Sequence, residues 1–121
     1  MAAVTETYTP DKLIAGNFPL VTGKVTIAAE SGALARGTIL GKVTADGKYK
    51  VTDKASSDGS EVASVVLAEA TDATLEVVGA PVYLSGQFNA AVVVFGGESV
   101  AADHKDQLRD VSIFLTDVTA L

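Results

Sequence analysis

Residues 36–52 read RGTILGKVTADGKYKVT, and this stretch predicts a β-hairpin. In its second half Tyr49 and Val51 alternate with polar residues, the period of two that is typical of a half-buried strand. Asp46 and Gly47 lie between the two halves, and this pair tolerates the positive φ angles of a tight turn. The clearest local signal in the chain therefore favours antiparallel β-structure.

Further strands are predicted on both sides of this hairpin. Residues 20–28 alternate between apolar or glycine positions and polar ones, which indicates a half-buried strand. Three more strands are predicted at residues 62–68, 80–85 and 112–116. An acidic connector, residues 69–76, joins the first two of these. Pro81 lacks a backbone N–H, so we expect it at a strand start or edge.

One short helix is predicted over residues 100–110, with Ser99 placed to cap its N-terminus. Its apolar face has three- and four-residue spacing and comprises Val100, His104, Leu108 and Val111. The sequence shows no internal repeat and no second-domain boundary. The predicted fold class is mainly β with one short helix (α+β), in a compact single domain.

Composition narrows the classes of function. The 121 residues carry 15 acidic and 9 basic side chains, a net charge of −6, which disfavours nucleic acid as a partner. The absence of cysteine and the single histidine remove disulfides, zinc–thiolate sites and most histidine-based catalysis. The longest apolar run, residues 90–95, is far below the ~20 residues that cross a bilayer. The first residues lack the features of a secretory signal, so we expect no membrane partner and synthesis in a cytoplasm.

Candidate catalytic and metal-binding residues are few. Asp103 and Asp106 lie near His104, but side chains two residues apart on a helix point to different faces. The serines of the 54–60 loop have no activating base nearby in the sequence. We interpret His104 as a helix-face core residue and predict no catalytic, metal-binding or cofactor-binding residue.

The first residues of the chain are predicted to form an extended arm. Residues 2–11 show no helical periodicity, and Pro10 pushes Thr9 towards extended geometry. A frayed terminus is the alternative interpretation of the same composition.

Several stretches resemble, in order and spacing, the bacteriophage lambda head decoration protein family. They are YTPDKLIAGNFP at 8–19, RGTILGKVT at 36–44 with GKY at 47–49, DGSE at 58–61 with VLAE at 66–69, APVYLSGQFN at 80–89, and LR at 108–109 with IFL at 113–115. The resemblance runs from about Tyr8 to Leu115. It implies a non-enzymatic protein with a compact, strand-rich fold of the head decoration (β-tulip-like) type.

The resemblance also implies partners and a place in the virion. Proteins of this kind bind the outside of the expanded phage head as homotrimers, at three-fold and quasi-three-fold sites, and reinforce it against packaged DNA. Residues 1–12 then form an arm that docks beside a strand of the major capsid protein, and residues 13–121 form the decoration domain. The protein would be located on the capsid exterior after assembly in the host bacterial cytoplasm. The predicted arm contacts are Val4, Thr5, Thr7, Tyr8, Thr9 and Pro10.

Self-association also agrees with the composition of the core. The chain holds 19 Ala and 17 Val but only 7 Phe and Tyr residues, so each side chain buries little area, and burial contributes only roughly 25 cal/mol per Å². We predict that apolar residues between 82 and 95 lie at the contacts of a homotrimer. These are Val82, Tyr83, Leu84, Phe88, Val93 and Phe95.

Two alternative functions belong to other classes. A small β-rich enzyme would need His104 or a pair of carboxylates to converge in a pocket. A soluble binding module for a peptide or glycan would need an exposed aromatic platform, drawn from Tyr8, Tyr49, Tyr83 or Phe88.

Overall fold

The computed structural model describes residues 13–116 with the exception of Asn17 and Glu98. Within these residues the elements are β1 (Val21–Ile27), β2 (Gly32–Leu34), β3 (Ile39–Lys42), β4 (Tyr49–Val51), β5 (Val65–Leu67), β6 (Thr71–Ala73), β7 (Val78–Asn89), α1 (Ala101–Arg109) and β8 (Ile113–Thr116). No helix among them is long and apolar enough to cross a membrane.

Five strands close into a small barrel. The strands β1, β4, β3, β5 and β7 are neighbours in that order, and β1 also pairs with β7. Strand β8 extends this sheet by pairing in parallel with the last four residues of β7. Strands β2 and β6 form a separate two-stranded sheet. The prediction of a mainly β single domain with one short helix is confirmed.

The predicted hairpin is formed by β3 and β4. Leu40 lies opposite Val51, and Lys42 lies opposite Tyr49. Gly47 adopts φ +75°, and its N–H donates to the carbonyl of Val43 at 2.9 Å. The glycine therefore supplies the left-handed conformation that the turn requires.

Two hydrophobic cores lie on opposite faces of the sheet. The barrel core consists of Ile27, Leu40, Val65, Leu67, Ala73, Ala80 and Val82. The second core, which includes residues of α1 and β8, consists of Leu13, Ile39, Ala63, Val66, Phe88, Leu108, Ile113 and Leu115. Because β5 is covered on both faces, all three of its residues are buried and its sequence does not alternate.

Strand β7 contributes to both cores because a β-bulge interrupts it at Leu84. Val21 pairs with Ser85, and the next residue of β1, Thr22, pairs with Tyr83, which leaves Leu84 without an opposite residue. The extra residue reverses the faces of the strand. Val82 therefore points into the barrel core, whereas Phe88 points into the second core.

Pro81 lies within β7, opposite Lys24, so its expected place at a strand start or edge was wrong. In an antiparallel ladder, every second pair of opposed residues exchanges two hydrogen bonds, and Pro81 would form such a pair with Ala68 beside β5. Ala68 N–H donates to the carbonyl of Pro81 at 3.0 Å, but proline cannot return the bond. Arg36 Nη1 donates instead to the carbonyl of Ala68 at 2.9 Å. The strand interior tolerates proline because a guanidinium replaces the missing N–H.

The helix also differs in detail from its prediction. Val100 is the N-cap, and its N–H donates to the Asp103 carboxylate at 2.8 Å. This hydrogen bond, with Lys54 3.5 Å from the carboxylate, holds the pKa of Asp103 below its usual range. Ser99 does not cap the helix. Val100 and Val111 are exposed, so the buried face comprises only His104 and Leu108.

The strand boundaries in the structure differ from the predicted ones. The 62–68 prediction shortens to β5, the 80–85 prediction lengthens to β7, and the acidic connector contains β6. The latter two segments are ordered by pairing with distant residues, which local sequence patterns do not report.

Candidate interaction surfaces

The chain enters and leaves the described domain beside one residue, Asn89 at the end of β7. Asn89 N–H donates to the carbonyl of Leu13 at 2.7 Å. On its other side Asn89 lies opposite Thr116, whose carbonyl accepts from Ala90 N–H at 2.9 Å. Since neighbouring strands lie about 4.8 Å apart, Leu13 and Thr116 are separated by roughly 10 Å. The polypeptide before Leu13 and after Thr116 therefore starts from the same end of the domain.

The arm residues predicted to bind the capsid lie outside the described part of the chain. They are Val4, Thr5, Thr7, Tyr8, Thr9 and Pro10.

Residues 13–16 and 18–20 attach the start of the domain to β7 and β8. Leu13 is fully buried in the second core. Ala15 N–H donates to the carbonyl of Gln87 at 2.9 Å, and Ser85 Oγ donates to the carbonyl of Pro19 at 2.9 Å. The ring of Phe18 packs edge-on against Phe114, with centroids 4.9 Å apart. The segment is therefore part of the folded domain.

A group of apolar side chains remains exposed where this segment meets the β-bulge. This group, the bulge patch, consists of Phe18, Leu20, Val21 and Leu84, whose exposed fractions are 39%, 42%, 51% and 41%. Leu84 lies over Gly23, where a Cβ atom would come within 2.9 Å of Leu84 Cδ1. The absence of a side chain at Gly23 therefore leaves room for the side chain of Leu84.

The residues predicted at the trimer contact fall into three groups. Val82 and Phe88 are fully buried in the two cores, so no surface of theirs remains for a partner and their assignment to a contact is corrected. Tyr83, Val93 and Phe95 pack against the second core and are half-buried. Leu84 is exposed within the bulge patch. Most of the 90–95 run packs within the chain: Ala90, Val92, Val93 and Phe95 contact the second core. The carbonyl of Val94 also accepts from Ile39 N–H.

His104 is buried in a hydrogen-bond network. Its Nδ1 lies 2.7 Å from Gln107 Oε1, which also accepts from Ala63 N–H at 2.9 Å. Because a carbonyl oxygen only accepts, Nδ1 carries the proton. Nε2 lies 2.9 Å from Ser99 Oγ, which accepts from Lys54 N–H at 2.7 Å and has its own proton to donate to the ring. The Nδ1–H tautomer thus gives Gln107 Oε1 a donor and Ser99 Oγ an acceptor.

Ser99 and Gln107 therefore hydrogen-bond to His104. They also bond to the backbone N–H groups of Lys54 and Ala63, which connects the helix region to two loops. Phe95 stacks on the imidazole, with ring centroids 5.2 Å apart. His104 is 1% exposed, so its ring is enclosed by the domain. Its geometry fits a structural role.

The 54–60 loop is ordered by an acidic side chain. Asp58 accepts from Lys50 Nζ at 2.8 Å and from both Ser60 N–H and Ser60 Oγ. These hydrogen bonds, with Lys50 first among them, hold the pKa of Asp58 well below its ordinary value. The Ser60 hydroxyl is therefore buried and engaged within the loop, which fits a structural role.

An open groove of about 320 Å³ lies beside this loop, lined by Lys42, Thr44, Gly59, Val62 and Ser64. None of these residues is a histidine or a carboxylate. Among residues 13–16, 18–97 and 99–116, no group of three or more histidine or acidic side chains is placed to hold a metal ion.

The aromatic side chains are dispersed. Tyr83 contacts Phe88 and lies under Arg36, whose guanidinium carbon is 5.6 Å from the ring centre. Tyr49 packs against the barrel core. The three aromatic residues proposed for a peptide- or glycan-binding platform that the structure describes, Tyr49, Tyr83 and Phe88, therefore do not form one.

Sequence reasoning missed three residues of the bulge patch, Phe18, Leu20 and Val21. The signal that identifies them is the absence of charge: residues 13–23 and 77–97 contain no acidic or basic side chain, although a fifth of the chain is charged. The pairing of Val21 with Ser85 brings these two segments together.

Comparison with known proteins places this fold in a family. The family model described as bacteriophage lambda head decoration protein D matches residues 3–113. A search of curated proteins finds no match. Because the matched region covers far more than half of the chain, the chain belongs to the bacteriophage lambda head decoration protein D family, a structural family whose role is decoration of the phage capsid.

Proposed function

We propose that this protein binds the outside of the expanded phage capsid as a homotrimer at three-fold and quasi-three-fold sites and stabilises the shell against the pressure of packaged DNA. The observation that carries the proposal is the family match over residues 3–113. The net charge of −6 supports it, because an exterior protein of this kind has no need to bind the packaged nucleic acid.

The stabilisation follows from binding linkage. A protein that binds the intact expanded shell more tightly than the ruptured one shifts the equilibrium towards the intact shell. At a concentration 100 times the dissociation constant, each occupied site contributes about 2.7 kcal/mol. Many sites on one capsid multiply this effect, so an individually modest affinity suffices.

We assign the docking role to the arm, residues 1–12, which adds as a strand to the major capsid protein. Val4, Thr5, Thr7 and Thr9 are β-branched, the residue type that strands favour. Ordering the arm costs about 1–2 kcal/mol per residue. Three arms in one trimer offset this cost, since the second and third bind intramolecularly once the first is seated.

The entry point of the chain agrees with this assignment. Leu13 lies beside Asn89, as does Thr116. An arm that begins there leaves from one end of the domain. The domain end that carries Asn89 would therefore face the shell.

Co-sedimentation with empty expanded heads tests the proposed function. The purified protein should pellet with expanded heads in a saturable manner and should not pellet with unexpanded heads. Heads carrying the protein should retain packaged DNA at chelator concentrations or temperatures that burst undecorated heads. Absence of binding to expanded heads would exclude the proposal, and binding without increased resistance would exclude the stabilising role.

A further inference from the structure

The chain contains two Asp–Gly pairs, Asp46-Gly47 in the β3–β4 turn and Asp58-Gly59 in the 54–60 loop. Such a pair is chemically labile, because glycine has no side chain to hinder attack by its backbone nitrogen on the preceding carboxyl carbon. The two pairs have the same covalent structure. A difference in their reactivity in the native protein therefore comes from their surroundings.

The reaction at an Asp–Gly pair isomerises the backbone. The glycine nitrogen loses its proton and bonds to Cγ of the aspartic acid, a carboxyl oxygen leaves as water, and a cyclic imide forms. Water then adds to either imide carbonyl and breaks its bond to nitrogen. Opening at Cγ restores aspartate, whereas opening at the former backbone carbonyl gives isoaspartate, whose main chain is longer by one carbon. The water lost in the first step is regained in the second, so no oxidant or cofactor is needed.

The carboxylate of Asp58 is held in its unreactive form. It accepts from Lys50 Nζ at 2.8 Å, from Ser60 N–H at 3.0 Å and from Ser60 Oγ at 2.6 Å. These hydrogen bonds hold the pKa of Asp58 well below its ordinary value, so the neutral acid, whose hydroxyl can leave as water, is scarce. The same contacts fix the side chain and hinder its rotation towards the Gly59 nitrogen.

The backbone of Gly59 is both engaged and enclosed. Its N–H donates to Glu61 Oε1 at 2.8 Å. The negative charge of that carboxylate opposes loss of the proton, because a second anion would form beside it. A Cβ atom at Gly59 would lie 2.8 Å from the carbonyl oxygen of Lys42 and 2.8 Å from the backbone nitrogen of Thr44. The neighbouring backbone therefore leaves no space for a longer main chain here.

The pair Asp46-Gly47 is held more loosely. Asp46 Oδ1 accepts from Lys48 N–H at 3.0 Å, while Oδ2 lies 3.9 Å from Lys48 Nζ, and the side chain is 48% exposed. Gly47 N–H donates to the uncharged carbonyl of Val43. Outside its chain neighbours, the nearest atom to a Cβ at Gly47 would be Lys42 Cε, at 3.8 Å. This exposed turn can open locally and has room for an additional backbone carbon.

We propose that Asp46-Gly47 is the site at which this protein converts aspartate to isoaspartate as it ages, and that the surroundings of Asp58-Gly59 protect that pair from the same reaction. Isoaspartate at residue 46 carries a free α-carboxyl group, which is the group that isoaspartyl methyltransferases esterify. The inference does not depend on the proposed function, since it concerns the folded chain by itself.

Incubation of the full-length protein at about pH 5, where an ordinary carboxyl group is partly protonated, tests the proposal. Trypsin releases residues 43–48 as one peptide, whose aspartate and isoaspartate forms have equal mass and separate by chromatography. Endoproteinase Asp-N, which cleaves before aspartate but not before isoaspartate, reports on residue 58. Enzymatic methylation gives the total isoaspartate.

We expect isoaspartate at residue 46 to accumulate at least about tenfold faster than at residue 58, the factor that one additional hydrogen bond to a charged group provides. Equal rates at the two residues, or a faster rate at residue 58, would overturn the inference. So would a folded protein in which residue 46 stays unconverted for as long as the unfolded chain takes to convert it.

The same chain in urea is the internal control. Without the fold, both Asp–Gly pairs should convert at similar rates, because each glycine nitrogen and each carboxyl group is then exposed to solvent. If residue 46 converts faster than residue 58 by the same factor in urea as in the folded protein, the flanking residues cause the difference, and the inference is contradicted.

Glu61→Ala tests the protection of Asp58 directly. The variant removes the acceptor of Gly59 N–H, so isoaspartate at residue 58 should form about tenfold faster, with no change at residue 46. Glu76→Ala is the matched control, because Glu76 is an exposed acidic residue between β6 and β7. It should age as wild type does.

Two further variants complete the test. Lys50→Met removes another contact of Asp58 and replaces Glu61→Ala if circular dichroism shows that the latter does not fold. A folded variant of either kind with no increase at residue 58 would contradict the protection. Asp46→Glu keeps the charge but requires a larger imide ring, which closes far more slowly. Methylation of the aged Asp46→Glu protein should therefore fall to near background, and methylation as high as in wild type would place the reactive site elsewhere and overturn the inference.

Discussion

The side chain of His104 connects three parts of the chain while remaining 1% exposed. Through Gln107 it reaches Ala63, and through Ser99 it reaches Lys54. His104→Ala removes two hydrogen bonds and leaves a cavity beside Phe95, so we expect a loss of about 2–4 kcal/mol in the free energy of unfolding. Urea denaturation measures it, with the exposed Lys105→Ala as control.

The same variant distinguishes structural from functional roles for the histidine. Binding of His104→Ala to expanded heads should remain within a few-fold of wild type at a temperature where the variant is folded. A large loss of binding by a folded variant would show that the histidine acts in docking.

Gly41 is fixed by the backbone of a neighbouring loop. A Cβ atom there would lie 2.3 Å from the carbonyl oxygen of Ser60 and 2.6 Å from that of Val62. Gly41→Ala should therefore destabilise the domain by more than about 3 kcal/mol, since backbone atoms must move. Gly32→Ala is the comparison: Gly32 has φ +86° and open space around it, so only the conformational cost of about 1–2 kcal/mol applies. Thermal unfolding that ranked the two variants in the opposite order would contradict this account.

The ionised carboxylate of Asp58 should make the free energy of unfolding depend on pH. Its pKa is lower in the folded protein than in the unfolded chain, so the unfolded chain binds more protons and stability rises with pH through this range. The contribution is complete above the ordinary carboxyl pKa of about 4 and is lost as pH falls towards the lower folded value. Urea midpoints of wild type and Asp58→Asn should therefore differ most at neutral pH and converge below about pH 4.

The control for Asp58 is Asp46→Asn, because the Asp46 carboxylate lies 3.9 Å from Lys48 Nζ in an exposed turn. Its midpoint should stay near that of wild type at neutral pH. A difference between wild type and Asp58→Asn that is the same at pH 3 and pH 7 would refute the role of the ionised carboxylate.

At the scale of elements, β5 and β7 are joined by a side chain as well as by backbone. Arg36 Nη1 donates to the carbonyl of Ala68 and to Tyr83 Oη. Arg36→Met should cost about 1–3 kcal/mol, because the carbonyl beside Pro81 then has no donor. Pro81→Ala restores an N–H at that place. In the Pro81→Ala background the cost of Arg36→Met should fall by about 1 kcal/mol.

A double-mutant cycle measured by urea unfolding gives this coupling. Tyr83→Phe, measured alongside, isolates the hydroxyl contact. Equal costs of Arg36→Met in both backgrounds would show that the guanidinium does not replace the proline's missing bond.

The elements that could be predicted are those whose residues carry their own signal. Alternation and Asp46-Gly47 identified β1 and the β3–β4 hairpin before any tertiary contact was known. Strands β2 and β6 carry no such pattern, since GAL and TDA become strands only by pairing with each other across 36 or more residues. The position of Pro81 was predicted wrongly for the same reason. The donor that replaces its missing N–H is the side chain of Arg36, which is distant in the sequence.

The exposure of the residues predicted at the trimer contact could be predicted only in part. Leu84, chosen from the apolar run around it, is exposed, and its role at a contact stays a prediction. Val82 and Phe88 were included with it because alternation cannot show a bulge, and it is the bulge that assigns those two to separate interiors. Phe18, Leu20 and Val21 are exposed only because no other part of the described chain covers the end of β1.

At the scale of the whole molecule, the arm and the domain should separate experimentally. Residues 2–9 are small or polar and precede Leu13, which is the first residue that the structure describes and is fully buried. Deleting Ala2 to Thr9 should leave the melting temperature nearly unchanged and greatly weaken binding to expanded heads. Calorimetry and co-sedimentation measure the two effects. Unchanged binding by the truncated protein would show that the domain alone docks.

The attachment of residues 13–15 to β7 determines how the domain responds to mechanical tension. These residues run antiparallel to β7, and the bonds from Ala15 to Gln87 and from Asn89 to Leu13 lie across the strands. A pull on Leu13 directed along the strand axis loads both bonds sideways and at the same time. A pull across the strands would break them one after another. Tension along this axis would thus load the domain in shear, because both hydrogen bonds must break together before residues 13–15 separate from β7.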